Sequence, residues 1–286
     1  MDIQWFPGHM TKSMRMIEEN VKLCDGIVYV LDARAPFACV NKKLIKVFGG
    51  KPVVYVLNKS DLISSGHVSE IKSNFAKEGI KVIPANGTLK KDASRIYDEV
   101  VSRFSEKISK AKEKGINKTL RIMVAGVPNT GKSTVINSLC GEKRAVTGDK
   151  AGVTRGKQWI RLKDLELLDT PGTMPPKFDN QCYARHLAYI GSVNDAILDM
   201  QTLCLDYLGE TAEKFPLEIK EKYGVDPNGV TPLEIFDLIC RKRGFLFKGN
   251  EYDYERGARA VLDDFRKGRA GKICFETQRI YEDDDR

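Results

Sequence analysis

No stretch of this chain is apolar for long enough to cross a bilayer. Across its 286 residues the longest apolar runs cover 26–31 and 53–57, far short of the about 20 residues that a spanning helix needs. The opening Met1-Asp2-Ile3-Gln4-Trp5 has neither the basic flank nor the apolar segment of a signal peptide, and the closing Asp283-Asp284-Asp285-Arg286 carries no lipidation signal. Secretion and membrane association are therefore not expected, and a cytoplasmic location is. Cysteine is sparse and scattered: Cys24, Cys39, Cys140, Cys182, Cys204, Cys240 and Cys274 form no Cys-x-x-Cys pair and are odd in number. They read as reduced thiols inside a cytosolic protein, not as zinc ligands or disulfides. Repeats are missing too, and the acidic end at 282–285 is the one biased tract.

What is there begins with an uneven charge. The net charge of +8 divides into 31 Lys and Arg against 19 Asp and Glu over 1–179, and 16 against 20 over 180–286. Lysine runs usually just keep a surface solvated. The clusters at Lys42/Lys43/Lys46, at Lys90/Lys91, and over 107–118 and 143–163 equally suit a polyanion such as RNA. With 42% hydrophobic residues the chain is long enough for one large domain and a smaller one. Short β-branched runs at 27–31, 53–57, 81–83 and 120–125 each precede a loop and a helix-length segment, the pattern of a mostly parallel sheet with helices on both faces. Beyond about residue 170 the patterning turns helical. Leu203, Leu205, Leu208, Leu233, Phe236, Leu238 and Ile239 recur at helical spacing and are expected to be core.

The strongest motif is Gly126-Val127-Pro128-Asn129-Thr130-Gly131-Lys132-Ser133, which follows the apolar run 121–125 and fits the Gly-x4-Gly-Lys-Ser phosphate loop. Its glycines let consecutive N–H groups turn inward around a phosphate. Lys132 supplies a point charge, the Ser133 hydroxyl is placed to hold Mg²⁺, and the helix carrying Ser133 and Thr134 adds its positive end. This implies a nucleotide without saying which. Asn58-Lys59-Ser60-Asp61 follows the run 53–57 and points to guanine: the Asp61 carboxylate accepts from guanine N1 and N2. Adenine offers no such donors, and the unpaired carboxylate would cost about 1–3 kcal/mol or more. Asp169-Thr170-Pro171-Gly172 matches the Asp-x-x-Gly element, in which Asp169 holds Mg²⁺ through water and the Gly172 N–H senses the terminal phosphate. Between the two, Gly148-Asp149-Lys150-Ala151-Gly152-Val153-Thr154-Arg155 reads either as a plain glycine-rich loop or as a switch in which Thr154 is a second hydroxyl ligand of Mg²⁺. Pro84-Ala85-Asn86-Gly87 stands where a guanine-stabilising loop is expected, with Pro84 in place of the usual serine.

Motif order decides how these pieces combine. The guanine motif stands some seventy residues before the phosphate loop, the reverse of most GTPases. No phosphate loop precedes Asn58 and no second Asn-Lys-x-Asp follows Gly172, so neither half is complete alone. One circularly permuted site is implied, with residues 107–119 as the joint.

These residues resemble the ribosome biogenesis GTPase A (YlqF/RbgA) family over nearly the whole chain. The likeness begins with Trp5-Phe6-Pro7-Gly8-His9-Met10 and Asp32-Ala33-Arg34-Ala35-Pro36, runs through the permuted motifs, and ends with Phe265-Arg266-Lys267-Gly268-Arg269 and Gly271-Lys272. It implies a permuted GTP-binding domain over 1–179, a helical ribosome- or rRNA-binding domain over 180–286, and GTP and GDP as ligands. It also implies weak GTPase activity stimulated by the ribosomal particle, and a role in late maturation of the large ribosomal subunit. A monomer is expected. The resemblance offers His9 as the residue that positions the attacking water, or else as an anchor for the N-terminal segment beside Trp5 and Phe6. Thr173 stands where signalling GTPases carry Gln and where this family commonly has a hydrophobic residue. Asn129 resembles an asparagine that coordinates K⁺ in related GTPases, and equally suits a turn. His67 and His186 are expected to be surface or structural. The triplets Arg241/Lys242/Arg243 and Arg266/Lys267/Arg269 are candidates for rRNA phosphate contacts. A phosphate-loop kinase or ATPase, a GTP-controlled RNA scaffold with little turnover, and a trafficking GTPase are the rivals. Asn58 to Asp61 opposes the first, Thr173 keeps the second open, and the missing lipid signal opposes the third.

Overall fold

The computed structural model describes residues 3, 8–115, 118–141, 145, 158–175 and 177–280, with 8, 9 and 158 as backbone only. Six strands form one sheet: β1 (Gly26–Asp32), β2 (Val53–Asn58), β3 (Val82–Ala85), β4 (Leu120–Ala125), β5 (Gln158–Leu162) and β6 (Leu165–Asp169), in the order β3-β2-β1-β4-β6-β5. All neighbours are parallel except the edge pair β5/β6. The chain thus enters the sheet at its centre, works outward through β2 and β3, and returns to β4 on the other side of β1. The permutation inferred from motif order is visible in this path.

Every residue of β1 is buried, because helices cover both faces. On one face Ile27, Tyr29 and Leu31 meet α1 (Gly8–Val21), α2 (Lys42–Val47) and α3 (Ser65–Lys77), through Ile17, Leu44, Ile71 and Phe75. On the other, Val28 and Val30 meet α4 (Lys90–Arg103) and α6 (Lys132–Cys140) through Ile96, Val100, Val135 and Ile136. Directly after α4 in sequence comes α5 (Ser105–Glu113). Burying each such aliphatic or aromatic side chain is worth about 1.5–3 kcal/mol.

The helical region comprises α7 (Gln181–Tyr189), α8 (Met200–Lys214), α9 (Pro216–Tyr223), α10 (Pro232–Arg243) and α11 (Tyr254–Arg266). Local chemistry sets its boundaries. Asp199 caps α8, and Thr231 with Glu234 forms a reciprocal capping box ahead of Pro232 on α10, which ends at Gly244 in a left-handed conformation. Leu203, Leu208, Phe236 and Ile239 are core as expected. Leu205 is half-buried, while Leu233 and Leu238 stay 48% and 39% exposed. Like any helix at a domain surface, α10 turns only part of its circumference inward, and those two leucines fall off the inward stripe.

After α11 the chain runs back across the sheet domain. Phe275 N–H donates to Arg34 O at 2.9 Å, and Glu276 Oε2 accepts from Phe37 N–H and Ala38 N–H at 2.7 and 2.8 Å. Arg34, 1% exposed, donates to Phe265 O and Arg266 O at 2.9 and 3.1 Å, capping the carbonyl end of α11 with a cation. Two of the stretches that carry the family resemblance outside the nucleotide motifs, 32–36 and 265–269, therefore meet in space. Both ends of the described chain reach the first turn of α7: Ile3 N–H donates to Gln181 Oε1 and Ile280 N–H to Tyr183 Oη, each at 2.8 Å.

Candidate nucleotide site

The site lies at the carboxyl ends of the strands, where open α/β sheets bind ligands. Asp32, Asn58 and Ala85 are in register at the ends of β1, β2 and β3. Across the sheet, β4 leads into Gly126 and β6 ends at Asp169. Both halves of the expected motif set therefore face one edge.

The phosphate loop is closed by its own bonds. Thr130 Oγ1 and Lys132 Nζ both donate to Val127 O, at 3.1 and 2.8 Å. Gly131 has φ of 90° and caps α6, and a Cβ there would collide with the side-chain amide of Asn58; only glycine accepts both conditions. Ser133 Oγ donates to Asp169 Oδ2 at 3.1 Å, and Thr134 follows it, half-buried. Burial pushes the Lys132 ammonium down to about 8 against the pull of Asp169.

The base side is tied to that loop directly. Asn58 Nδ2 donates to Thr130 O at 2.7 Å, and Asn58 Oδ1 accepts from Gly87 N–H at 2.8 Å. Lys59, in the left-handed region with φ of 59°, donates to Asn129 O at 2.7 Å and pairs with Asp32 Oδ2 at 2.8 Å. Burial alone would raise the Asp32 carboxyl, but Arg34 and Lys59 outweigh it and hold it well below the usual carboxylate range. Asp61 sits exposed in the 3-10 turn Ser60–Leu62, its carbonyl accepting from Lys272 Nζ. Pro84 is half-buried, and Ala85 is buried at the end of β3.

Gly172 packs against the phosphate loop so closely that a Cβ would lie 2.6 Å from Pro128 Cα. Thr173 is fully buried and its N–H donates to Gly126 O at 3.2 Å. Asn129 donates its amide to Gly191 O, which serves the turn and joins it to the helical region. Of the remaining expected residues, Thr154 lies outside the described residues, as do Trp5 and Phe6. His9 is described only as backbone in α1.

Asn58 thus bonds to the phosphate loop and to the loop after β3, and two distant stretches of chain meet at one sheet edge. Residues 121–223 match the family model described as 50S ribosome-binding GTPase. The ribosome biogenesis GTPase A of Bacillus cereus is 37% identical over 97% of this chain and 94% of its own, and that of Thermotoga maritima 30% identical over 96% and 94%. The crystal structure of GNP-bound YlqF from T. maritima superposes with a TM-score of 0.64 at 28% identity, covering 93% of this chain and 97% of that one. The chain belongs to the ribosome biogenesis GTPase A family.

The family model begins inside β4 and ends on α9, so it spans the phosphate loop and leaves out β1 to β3, whereas the relatives match over nearly the whole chain. Several further residues of this site lie outside the sequence motifs. Asp32 anchors Lys59; Asp92 Oδ2 accepts Asn86 N–H at 2.8 Å and shapes the loop after β3; Ser192 Oγ donates to Pro128 O at 2.6 Å. Only Asp32 had a signal, its place ending an apolar run as Asn58 does.

The basic triplets of the helical region are largely engaged within the chain. Arg266 pairs with Asp195 at 2.7 Å and donates to Ala188 O and Tyr189 O; Arg269 pairs with Asp263 and Asp264, Lys267 with Asp263, and Arg243 with Asp264. Lys242 donates to Gly224 O. His186 is fully buried, hence structural and not a surface residue. Among the described residues no helix is long and apolar enough to cross a membrane.

Proposed function

We propose that this protein binds GTP and GDP, hydrolyses GTP, and acts as an assembly factor in late maturation of the large ribosomal subunit. The observation that carries the reading is the pair of hydrogen bonds made by Asn58, which ties the guanine loop at Gly87 to the phosphate loop at Thr130. Asp61 reads guanine N1 and N2 from its exposed turn, and Lys132 faces the phosphates. Ser133 and Asp169, already in contact at 3.1 Å, are a hydroxyl and a carboxylate suited to hold Mg²⁺ together with Thr154. An Mg²⁺ ion held by these residues would supply charge neutralisation at the phosphate oxygens. Asn129 is the candidate to hold K⁺, and His9 to position water.

Nucleotide state has two routes into residues 180–286, which we take as the domain that meets the particle. One runs from the phosphate loop through Gly191 and Ser192, and the other from the guanine loop through Lys272. The names of the relatives support a ribosomal partner, and the exposed lysines of residues 1–179 support contact with rRNA. A GTP-controlled scaffold with little turnover is the second reading, favoured by Thr173, whose burial leaves no side chain there to orient water.

Asp61→Asn tests the base reading. An amide donates where the carboxylate accepts, so GTP affinity is expected to fall about a hundredfold and xanthosine triphosphate affinity to rise. Unchanged preference for GTP in competition binding would overturn the assignment. Turnover in K⁺ and Na⁺ buffers, with and without large-subunit precursors, separates the two readings: absence of stimulation by any particle favours the scaffold.

A further inference from the structure

At the start of the helical region four side chains converge that nucleotide chemistry does not use. Cys182 and His186 stand four residues apart on α7, and so on one helix face, and Glu210 reaches them from α8. His186 Nε2 lies 2.9 Å from Glu210 Oε1 and 3.5 Å from Cys182 Sγ, and the three donor atoms fall within 4.8 Å of one another. On the far side of the ring, His186 Nδ1 lies 2.6 Å from Glu276 Oε1. Glu276 is held in turn by the N–H groups of Phe37 and Ala38, and Phe275 stacks on the imidazole at 5.2 Å.

We propose that Cys182, His186 and Glu210 form a binding site for a transition-metal dication of the zinc class. A tetrahedral ion with Zn–S of about 2.3 Å and Zn–N of about 2.0–2.1 Å sets its sulfur and nitrogen ligands about 3.5 Å apart, the separation already present between Cys182 and His186. One thiolate, one imidazole and one carboxylate are a donor set of mixed softness that selects zinc over magnesium or calcium. Glu276 fixes the ring and its tautomer from behind, as carboxylates do for metal-ligating histidines. His186 is fully buried, whereas Cys182 and Glu210 are half-buried, which leaves an entry path and room for water as fourth ligand.

Charge closes as well. With the Cys182 thiol deprotonated on binding, three anions (Cys182, Glu210 and Glu276) face one dication. Lys214, paired to Glu210 Oε1 at 2.7 Å, supplies the remaining positive charge. The ion takes the place of the proton shared by His186 and Glu210. It would staple α7 and α8 to the returning tail, where that tail grips the loop after β1. A search for paired cysteines passes over this site, because its sulfur ligand is paired with a histidine one helical turn away.

The test uses the full chain saturated with GDP and Mg²⁺, so that the nucleotide site is filled, and titrated first with Co²⁺ and then with Zn²⁺. One equivalent of Co²⁺ is expected to bind with a thiolate-to-metal charge-transfer band, and Zn²⁺ to displace it. Cys182→Ser should abolish the band, Cys140→Ser, at another half-buried thiol, should keep it, and Glu210→Gln should weaken Zn²⁺ affinity on the order of tenfold or more. Zn²⁺ should also raise the unfolding temperature of the parent protein and not of Cys182→Ser. Absence of the band at stoichiometric Co²⁺, or a band that survives Cys182→Ser, overturns the site.

Discussion

Two lysine clusters of the sheet domain and the basic runs of the helical region dispose of their positive charge differently. In the sheet domain Lys42, Lys43, Lys46, Lys90 and Lys91 are exposed, and Lys132 is buried where phosphate is expected. In the helical region Arg243, Arg266, Lys267 and Arg269 are paired with Asp195, Asp263 and Asp264. A run of basic residues in sequence therefore means different things in the two regions. The second region's net negative charge is the cue that its cations have partners nearby.

The largest expected effect comes from Arg34, the fully buried arginine that reaches from one region to the other. Arg34→Met removes a partner of fully buried Asp32 and the cation that caps α11, and a loss of about 3–5 kcal/mol is expected. Urea unfolding measures it, and a loss below about 1 kcal/mol would mean that the regions hold together without this contact. Next comes the comparison of surface charge. Replacing Lys42, Lys43 and Lys46 together by Ala should reduce the salt dependence of particle binding by about two units of log–log slope, if each meets a phosphate. The same change at Arg241, Lys242 and Arg243 should alter it much less. Equal effects would erase the distinction drawn between the regions.

The smallest effect is that of pH. Burial lowers the free-state pKa of Lys132 to about 8, and bound phosphate favours the protonated form and raises it. Nucleotide affinity is therefore full below pH 8 and falls as pH rises above it, with proton uptake on binding. Calorimetry of GDP binding at pH 7 and pH 9 in two buffers checks both signs, and Lys132→Arg should flatten the profile.

Much of the nucleotide site was legible because phosphate and guanine impose fixed spacings on a short stretch of chain. Gly131 must be glycine for reasons of φ and of contact with Asn58, and Asp169 must follow a strand that ends at the same sheet edge. Motif order alone gave the permutation, since a half-site has no use. The bond from Arg34 to the end of α11 spans more than two hundred residues and leaves no local pattern, and the Gly191 and Ser192 contacts are equally silent. His186 read as an isolated histidine because its partners Glu210 and Glu276 come from other elements. Leu233 and Leu238 misled for a different reason: helical periodicity says that a stripe exists, but it does not say how wide the covered part is.

Ile3 and Ile280 both reach the first turn of α7, where their partners Gln181 and Tyr183 stand two residues apart. Residues 3 and 280 are therefore near neighbours in space although far apart in sequence. Joining these ends by a short bridge and opening the chain elsewhere would restore another gene order around the same pocket. The nucleotide motifs depend on which strands lie side by side, and that arrangement is indifferent to where reading starts.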